Sequence, residues 1–166
     1  MKTKIVTIVF ILLGMGLFAQ KGMKLGIHGG LPLEEFSEEL SIVAGLDLGY
    51  RWGISEVVDL GIMTGFVNGF PEKYDRELFS ADLPNIQFVP LAGSIRVWTS
   101  NSFSFGADVG RAIGVNDGNE GGLYYRPTLG YLMGAKTEVN FSYTGIELDD
   151  RTWSTLTLGV LYTFDF

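Results

Sequence analysis

Hydrophobic and polar residues alternate with a period of two along most of this chain. The last segment, "STLTLGVLYTFDF" from Ser154 to Phe166, shows the pattern clearly. Its apolar parity holds Leu156, Leu158, Val160, Tyr162, Phe164 and Phe166, and Leu161 is the one apolar residue on the polar parity. A period of two predicts a β-strand with one apolar and one polar face. Seven more segments alternate in the same way: 23–32, 41–52, 57–68, 86–98, 102–114, 122–134 and 137–146.

The connections between these eight segments alternate in length. Three are tight, at 53–56, 99–101 and 135–136, and four are longer and mostly acidic or glycine-rich, at 33–40, 69–85, 115–121 and 147–153. Short turns at one end and long loops at the other are typical of an up-and-down meander. The even number of strands then leaves both termini on the side of the short turns.

The two faces of the predicted strands differ in their content of charges and glycines. The faces of a soluble barrel would not differ in this way. The polar parity carries nearly all the strand charges and at least twelve glycines, Gly134 among them, whereas Arg111 is the one clear charge on the apolar parity. Glycine weakens a solvent-exposed strand without compensation. Inside a narrow eight-stranded barrel, however, it leaves room for long charged side chains. Segments of ten to thirteen residues also suit tilted membrane strands. The sequence therefore predicts an all-β fold, an eight-stranded antiparallel up-and-down transmembrane β-barrel.

The predicted lumen contains charges of both signs. They are Lys24, Asp47, Arg51, Asp59, Arg96, Asp108, Arg126 and Glu138. Buried charges are costly unless they are paired, so we interpret this set as a structural polar network that plugs the barrel. The alternative interpretation is a gated or narrow channel.

The N-terminus has the pattern of a signal peptide. Lys2 and Lys4 precede an apolar run over 5–18, and Ala19 offers a small residue for cleavage. An uncleaved membrane helix is the alternative, but the run is short for a spanning helix. We therefore divide the chain into a signal peptide, 1–19, and a barrel domain, 20–166. Without Lys2 and Lys4 the formal net charge is −9. The predicted location is the outer membrane of a double-membraned bacterium, with both termini periplasmic.

The composition excludes several kinds of chemistry. The chain has no Cys and a single His, which excludes disulfides, thiol nucleophiles and multi-His metal sites. His28 shares the lumenal parity, where it is not expected to act as a catalytic base. Glu34, Glu35, Glu38 and Glu39 could gather a divalent cation, but a solvated acidic loop is the favoured interpretation. The acidic balance also argues against nucleic acid as a partner. We predict no cofactor, no metal and no enzymatic activity.

Aromatic residues indicate where the apolar face ends. Seven of them lie on the apolar parity near the short-turn end: Tyr50, Trp52, Phe103, Phe105, Tyr162, Phe164 and Phe166. Such a row is typical of an interfacial girdle. Arg111 is expected near the opposite rim, because at mid-bilayer it would cost ~2–4 kcal/mol.

Three segments resemble a known family. "NIQFVPLAGSIRVW", "FSFGADVGRAIGV" and "TLTLGVLYTFDF" are similar to strands of outer-membrane β-barrel proteins of the PorT-like group, and the resemblance covers about 24–166. It implies a fold and a location rather than an activity. It also implies that Phe166 is an assembly signal, because such proteins end in an aromatic residue that the barrel insertion machinery reads.

These observations lead to a non-enzymatic role that is structural, adhesive or part of an envelope complex. The expected partners are outer-membrane lipid, the insertion machinery, and an extracellular or envelope protein bound through loops 33–40 and 69–85. Two alternatives remain from other classes. One is a small-solute channel or lipid-modifying membrane barrel enzyme, and the other is a soluble lipocalin-like ligand binder.

Overall fold

The computed structural model describes residues 22–72, 85–116 and 118–164, without the side chain of Glu35. Eight antiparallel strands make up nearly all of this part of the chain. They are β1 (Gly22–Leu33), β2 (Leu40–Gly53), β3 (Val58–Pro71), β4 (Ile86–Trp98), β5 (Phe103–Gly114), β6 (Gly122–Met133), β7 (Thr137–Glu147) and β8 (Thr152–Phe164). The predicted signal peptide, residues 73–84 of the second long loop, and Phe166 lie outside the described residues.

The strands close into a barrel in chain order, and β1 pairs with β8 to complete it. The predicted eight-stranded antiparallel up-and-down barrel is therefore confirmed. In the closing pair Met23 lies opposite Phe164 and Leu33 lies opposite Ser154. The first and last strand ends thus share the end of the barrel that carries the short turns. One 3-10 turn, Glu34–Phe36, follows β1. No helix among the described residues is long and apolar enough to cross a membrane.

Side chains alternate between the outside and the lumen as the period of two predicts. On β8, Leu158 is 62 % exposed and Val160 is exposed, while Thr157 and Thr163 are buried. Leu161, the exception in the pattern, points inward with Thr157 and Thr163. The charged parity thus faces the lumen and the apolar parity faces outward.

The lumen is not polar along its whole length, which corrects the expected polar plug. Its half near the long loops is filled by large apolar side chains: Phe36, Leu40, Val43, Val67, Phe88, Tyr124, Ile146 and Trp153. The alternation missed two residues of this half, each for its own reason. Trp153 precedes the segment whose period was recognised, and Phe36 belongs to a loop that folds back into the barrel mouth.

Glycines make room for the largest inward side chains. A methyl group on Gly69 would overlap the ring of Trp153, and one on Gly106 would lie 2.5 Å from Nη1 of Arg96. Both contacts are shorter than a real Cβ makes, so a larger residue at either position would have to displace Trp153 or Arg96. Gly134, which the pattern assigned to the lumen, instead lies in the turn after β6 with φ of +78°. Its role there is conformational, because this backbone region suits glycine.

Candidate functional site

Asp47 is the centre of the first lumenal charge cluster. Arg126 on β6 reaches across the barrel to it with two hydrogen bonds, Nη1 to Oδ1 at 2.7 Å and Nη2 to Oδ2 at 3.1 Å. His28 on β1 lies 3.1 Å from Oδ2 through Nδ1. Arg126 also donates from Nε to the hydroxyl of Ser142, 3.0 Å away. A bidentate arginine–carboxylate pair is among the stronger polar contacts in proteins, so this cluster ties β2 to β6.

Glu138 is the centre of the second cluster. Nη2 of Arg96 lies 3.2 Å from its Oε1, and Nη1 of Arg51 lies 3.8 Å from its Oε2. Arg51 also donates from Nε to the hydroxyl of Ser94 at 3.3 Å. Two arginines from β2 and β4 thus share one carboxylate on β7. These contacts are longer than those at Asp47, and they hold three strands together.

The other three predicted network residues lie beside these clusters. Lys24 donates from Nζ to Thr163 at 2.7 Å, and Asp59 accepts from Nε1 of Trp98 at 2.7 Å. Asp108 faces Ser94 and Arg126 in the strand register. All eight predicted residues are buried inside the barrel, and the largest exposed fraction among them is 6 %.

Very little open space remains between these side chains. The cavity that Lys24, Arg51, Arg96, Asp108 and their neighbours line has a volume of about 20 Å³. That is room for one or two water molecules. The polar half of the lumen is therefore filled by its own side chains.

The barrel mouth is closed by the first long loop. The ring centroids of Phe36 and Phe88 each lie 5.1 Å from that of Trp153. The guanidinium of Arg151 stacks 4.1 Å over the Phe36 ring and donates to Oε1 of Glu39 at 2.6 Å. An aromatic layer thus separates the polar half of the lumen from the loop end.

Charge is distributed unevenly between the loops and the barrel wall. The four long connections, 34–39, 72–85, 115–121 and 148–151, contain twelve acidic and three basic residues, a net charge of −9. The rest of the predicted exported chain has seven acidic and seven basic residues, so its formal net charge is zero. The acidic excess of the protein is therefore confined to the loop end.

A polar group on the outer face near the loop end was missed by the sequence analysis. The hydroxyl of Tyr143 donates to that of Ser154 at 3.0 Å, and Ser154 donates to Oε2 of Glu34, also at 3.0 Å. The ring of Tyr125 lies 6.2 Å from that of Tyr143. A signal was present, because Ser154 breaks the apolar row of β8 and Tyr143 lies on the outward parity of the neighbouring β7. This group marks a polar upper edge on the outer face.

The remaining sequence candidates take no part in a site of their own. His28 belongs to the Asp47 cluster. Among the acidic loop residues with described side chains, Glu34 and Glu39 are engaged by Ser154 and Arg151. Within the described ranges, no group of three or more His, Cys, Asp or Glu residues is arranged to hold a metal ion.

Comparison with known proteins gives similarity of fold without similarity of sequence. No protein-family model matches the chain, and no curated protein matches it. Thus the resemblance to the PorT-like group is not confirmed.

Several solved structures share the fold of this chain. The outer-membrane protein Ail of Yersinia pestis, in a phospholipid bilayer nanodisc, superposes with a TM-score of 0.59 at 18 % identity, over 86 % of this chain and 99 % of Ail. Ail in complex with the heparin analogue sucrose octasulfate gives 0.56 at 18 % identity, over 89 % of this chain and 100 % of Ail. Neisserial surface protein A gives 0.50 at 13 % identity, over 89 % of this chain and 100 % of that chain. The chain thus has the fold of small outer-membrane barrels.

The geometry of the two clusters predicts unequal effects for two arginine substitutions. Arg126→Met leaves Asp47 with His28 alone, and we expect it to lower the unfolding free energy by ~3–5 kcal/mol, the cost of breaking a buried pair. Arg96→Met should cost less, because Glu138 keeps Arg51 within 3.8 Å. Urea unfolding of the refolded barrel, followed by tryptophan fluorescence, measures both.

The double variant Arg126→Met/Asp47→Asn provides the control for this comparison. It removes both charges of the pair, so it should recover part of the lost stability and show non-additivity. Equal losses for Arg126→Met and Arg96→Met would contradict the assignment of the stronger pair to Asp47.

Proposed function

We propose that this protein is a non-enzymatic outer-membrane β-barrel of a double-membraned bacterium. One observation carries the proposal: a closed barrel exposes apolar side chains all around its outer face and buries its charges inside. Ile27 and Leu158 are each 62 % exposed, and Leu91 is 60 % exposed. In water such a continuous apolar surface would drive association, whereas lipid is its natural solvent. Internal pairing of the backbone polar groups also suits a bilayer.

The height of the apolar face supports this location. On β1 the outward row runs from Met23 to Leu33, ten residue steps. At ~3.4 Å per residue and a typical tilt of ~40°, this row rises about 25 Å along the barrel axis. An apolar band of about 25 Å is typical of outer-membrane barrels. A soluble lipocalin-like binder would carry its apolar side chains inside instead.

The filled lumen favours a structural role over transport. The polar half holds a cavity of only about 20 Å³, and the layer of Phe36, Phe88 and Trp153 closes the half near the loops. In the described part of the chain, side chains occupy the space that a small solute would need to cross these two halves. We therefore infer that the barrel is a rigid support for its loops and not a channel.

The available side chains also give little support to a lipid-modifying enzyme. His28, the only histidine, lies in the lumen beside Asp47, away from lipid. On the outer face, Ser154 contacts Glu34 and Tyr143, which provides a hydroxyl and a carboxylate without an imidazole base. We infer that neither group is catalytic.

The acidic loops favour a positively charged partner. Their net charge of −9 would attract a basic protein surface and repel a polyanion. One of the solved structures with this fold is a complex of Ail with a heparin analogue, a polyanion, which the acidic loops of the present chain would instead repel. We propose an adhesive or envelope-complex role in which loops 33–40 and 69–85 contact a basic extracellular or envelope protein.

The orientation and export route complete the proposal. Residues 1–19 act as the signal peptide, both termini lie in the periplasm, and the acidic loops face the outside of the cell. The short turns at the end shared with the termini support this orientation, because periplasmic turns are short in such barrels.

Membrane location has a direct test. The protein should fractionate with the outer membrane, require detergent for extraction, and migrate differently in SDS gels before and after boiling, because a closed barrel keeps its backbone hydrogen bonds in cold SDS. The periplasmic fraction of the same cells is the control. A protein that is found in that fraction, and whose boiled and unboiled samples comigrate, would refute the membrane barrel and favour the lipocalin-like alternative.

The plugged lumen predicts an absence of conductance. Purified protein in planar lipid bilayers should give no stable single-channel current across the working voltage range. A porin reconstituted in the same way is the positive control for insertion. Large and steady currents from the unmodified protein would favour the small-solute channel.

Loss of the terminal residue is predicted to impair assembly of the barrel in cells. Phe166 lies outside the described residues, so its proposed role as an assembly signal rests on the sequence. Deletion of Phe166 should lower the amount of inserted barrel in cells, while refolding into detergent in vitro suffers less because most of the apolar surface of β8 remains. Normal insertion in cells after the deletion would rule out the signal.

A further inference from the structure

The outer face carries one basic side chain in an apolar setting. Arg111 points outward from β5 and is exposed, opposite Leu91 on β4 and Leu123 on β6. Its neighbours along the same face of β5, Val109 and Ile113, are exposed as well, at 56 % and 52 %. Among the described residues, the side chain of Arg111 makes no ion pair and no hydrogen bond. The guanidinium therefore has five donors and no protein acceptor.

The height of Arg111 brings its charge to the edge of the apolar band. Phe103, at the start of β5, lies at the short-turn end, and Arg111 follows eight residues later, three residues before Gly114. This distance is about 20 Å along the barrel axis at a typical tilt, within a band of about 25 Å. The long stem of an arginine can lie along apolar surface while its head extends to the polar boundary. The guanidinium thus reaches the headgroup layer at the loop end.

We propose that Arg111 binds the phosphate of an anionic lipid headgroup in the leaflet at the loop end. This inference rests on the proposed membrane location. The planar guanidinium matches two phosphate oxygens at once, which an ammonium group cannot do. The Tyr125 ring on β6 lies over Gly145 and beside Tyr143 of β7, away from Arg111, so the guanidinium alone supplies the donors to the headgroup.

The surrounding charges explain why a basic residue is needed at this level. The sequence of the four long connections carries a net charge of −9, and Glu147 occupies the same row as Arg111 two strands away, opposite Leu123. Both would repel lipid phosphates from the barrel wall. Of the other basic residues in the described ranges, Lys24, Arg51, Arg96 and Arg126 lie in the lumen, Arg151 is paired with Glu39, and Lys136 lies in a turn at the opposite end. Arg111 therefore holds the local counter-charge that keeps anionic lipid next to this wall.

Native mass spectrometry of the folded, exported chain tests the proposal. The barrel is purified in a neutral detergent, its fold is checked by its heat-dependent mobility, and it is titrated with equal amounts of phosphatidylglycerol or phosphatidylcholine. Wild-type protein should retain phosphatidylglycerol about fivefold better, which corresponds to the ~1 kcal/mol typical of one basic residue at an anionic surface. Arg111→Gln should abolish this preference, and Arg111→Lys should keep part of it because only the bidentate contact is lost.

Two controls make the outcome specific. Lys136→Gln removes one positive charge at the opposite end of the barrel and should leave the preference unchanged. Inorganic phosphate, added without lipid, should not raise the melting temperature of the wild-type barrel, and stabilisation that depends on Arg111 would assign the site to free phosphate instead of a lipid headgroup. Equal retention of the two lipids by folded wild-type protein, or a preference that survives in Arg111→Gln, would overturn the proposal while leaving the membrane barrel intact. A chain that fails the heat-dependent mobility check would count against the membrane barrel itself.

Discussion

The narrow radius of a closed eight-stranded barrel is the constraint on which the rest of this structure depends. Closure by the β1–β8 pair leaves an interior that side chains alone can fill. Every inward position must therefore be either small or matched to a neighbour. The Arg96 side chain occupies the space over Gly106, and the Trp153 ring occupies the space over Gly69, so both positions hold the smallest residue. The pairing of charges follows from the same constraint, since the side chains around them leave a cavity of only about 20 Å³ for water.

The lumen meets this constraint in two different ways along its axis. Near the short turns, the buried charges form the Asp47 and Glu138 clusters, which link strands that are far apart in the sheet order. Near the loops, the aromatic layer around Trp153 fills the space without polar groups. The polar half gives directional contacts between strands, and the apolar half seals the barrel while anchoring the first long loop through Phe36. A lumen filled in this way supports the proposal that the barrel holds its loops and does not transport solutes.

The outer surface has two zones that suit different solvents. The apolar band suits lipid, while the acidic excess lies wholly in the loops. The hydrogen-bonded hydroxyls of Tyr143 and Ser154 lie on the outer face, close to the loop end. This division supports the proposal of a basic partner at the loop end. Arg111 lies on the outer face between the acidic loops and the apolar band. Its proposed counter-ion is the anionic lipid of a bilayer.

Much of this architecture could be predicted from the sequence. The period of two decided which residues face outward, and Leu158 and Val160 are exposed while Thr157 and Thr163 are buried as the alternation requires. The alternating lengths of the connections determined the meander and the shared side of the termini. Both predictions succeed because they depend on local backbone geometry, which is the same for every strand. The lumenal charges include both signs, so the sequence also predicted that each buried charge would pair with one of opposite sign.

The tertiary structure decided which partners meet. Arg126 and Asp47 are separated by 79 positions in the chain, and nothing in the sequence selects this pair over Arg126 with Asp108, because the choice depends on the stagger of the strands around the barrel. The apolar half of the lumen was missed for a related reason, since Phe36 reaches Trp153 only after its loop folds over the mouth. Local periodicity therefore determined which way each side chain points in this protein. Register and loop folding, which involve residues distant in sequence, determined what each side chain touches.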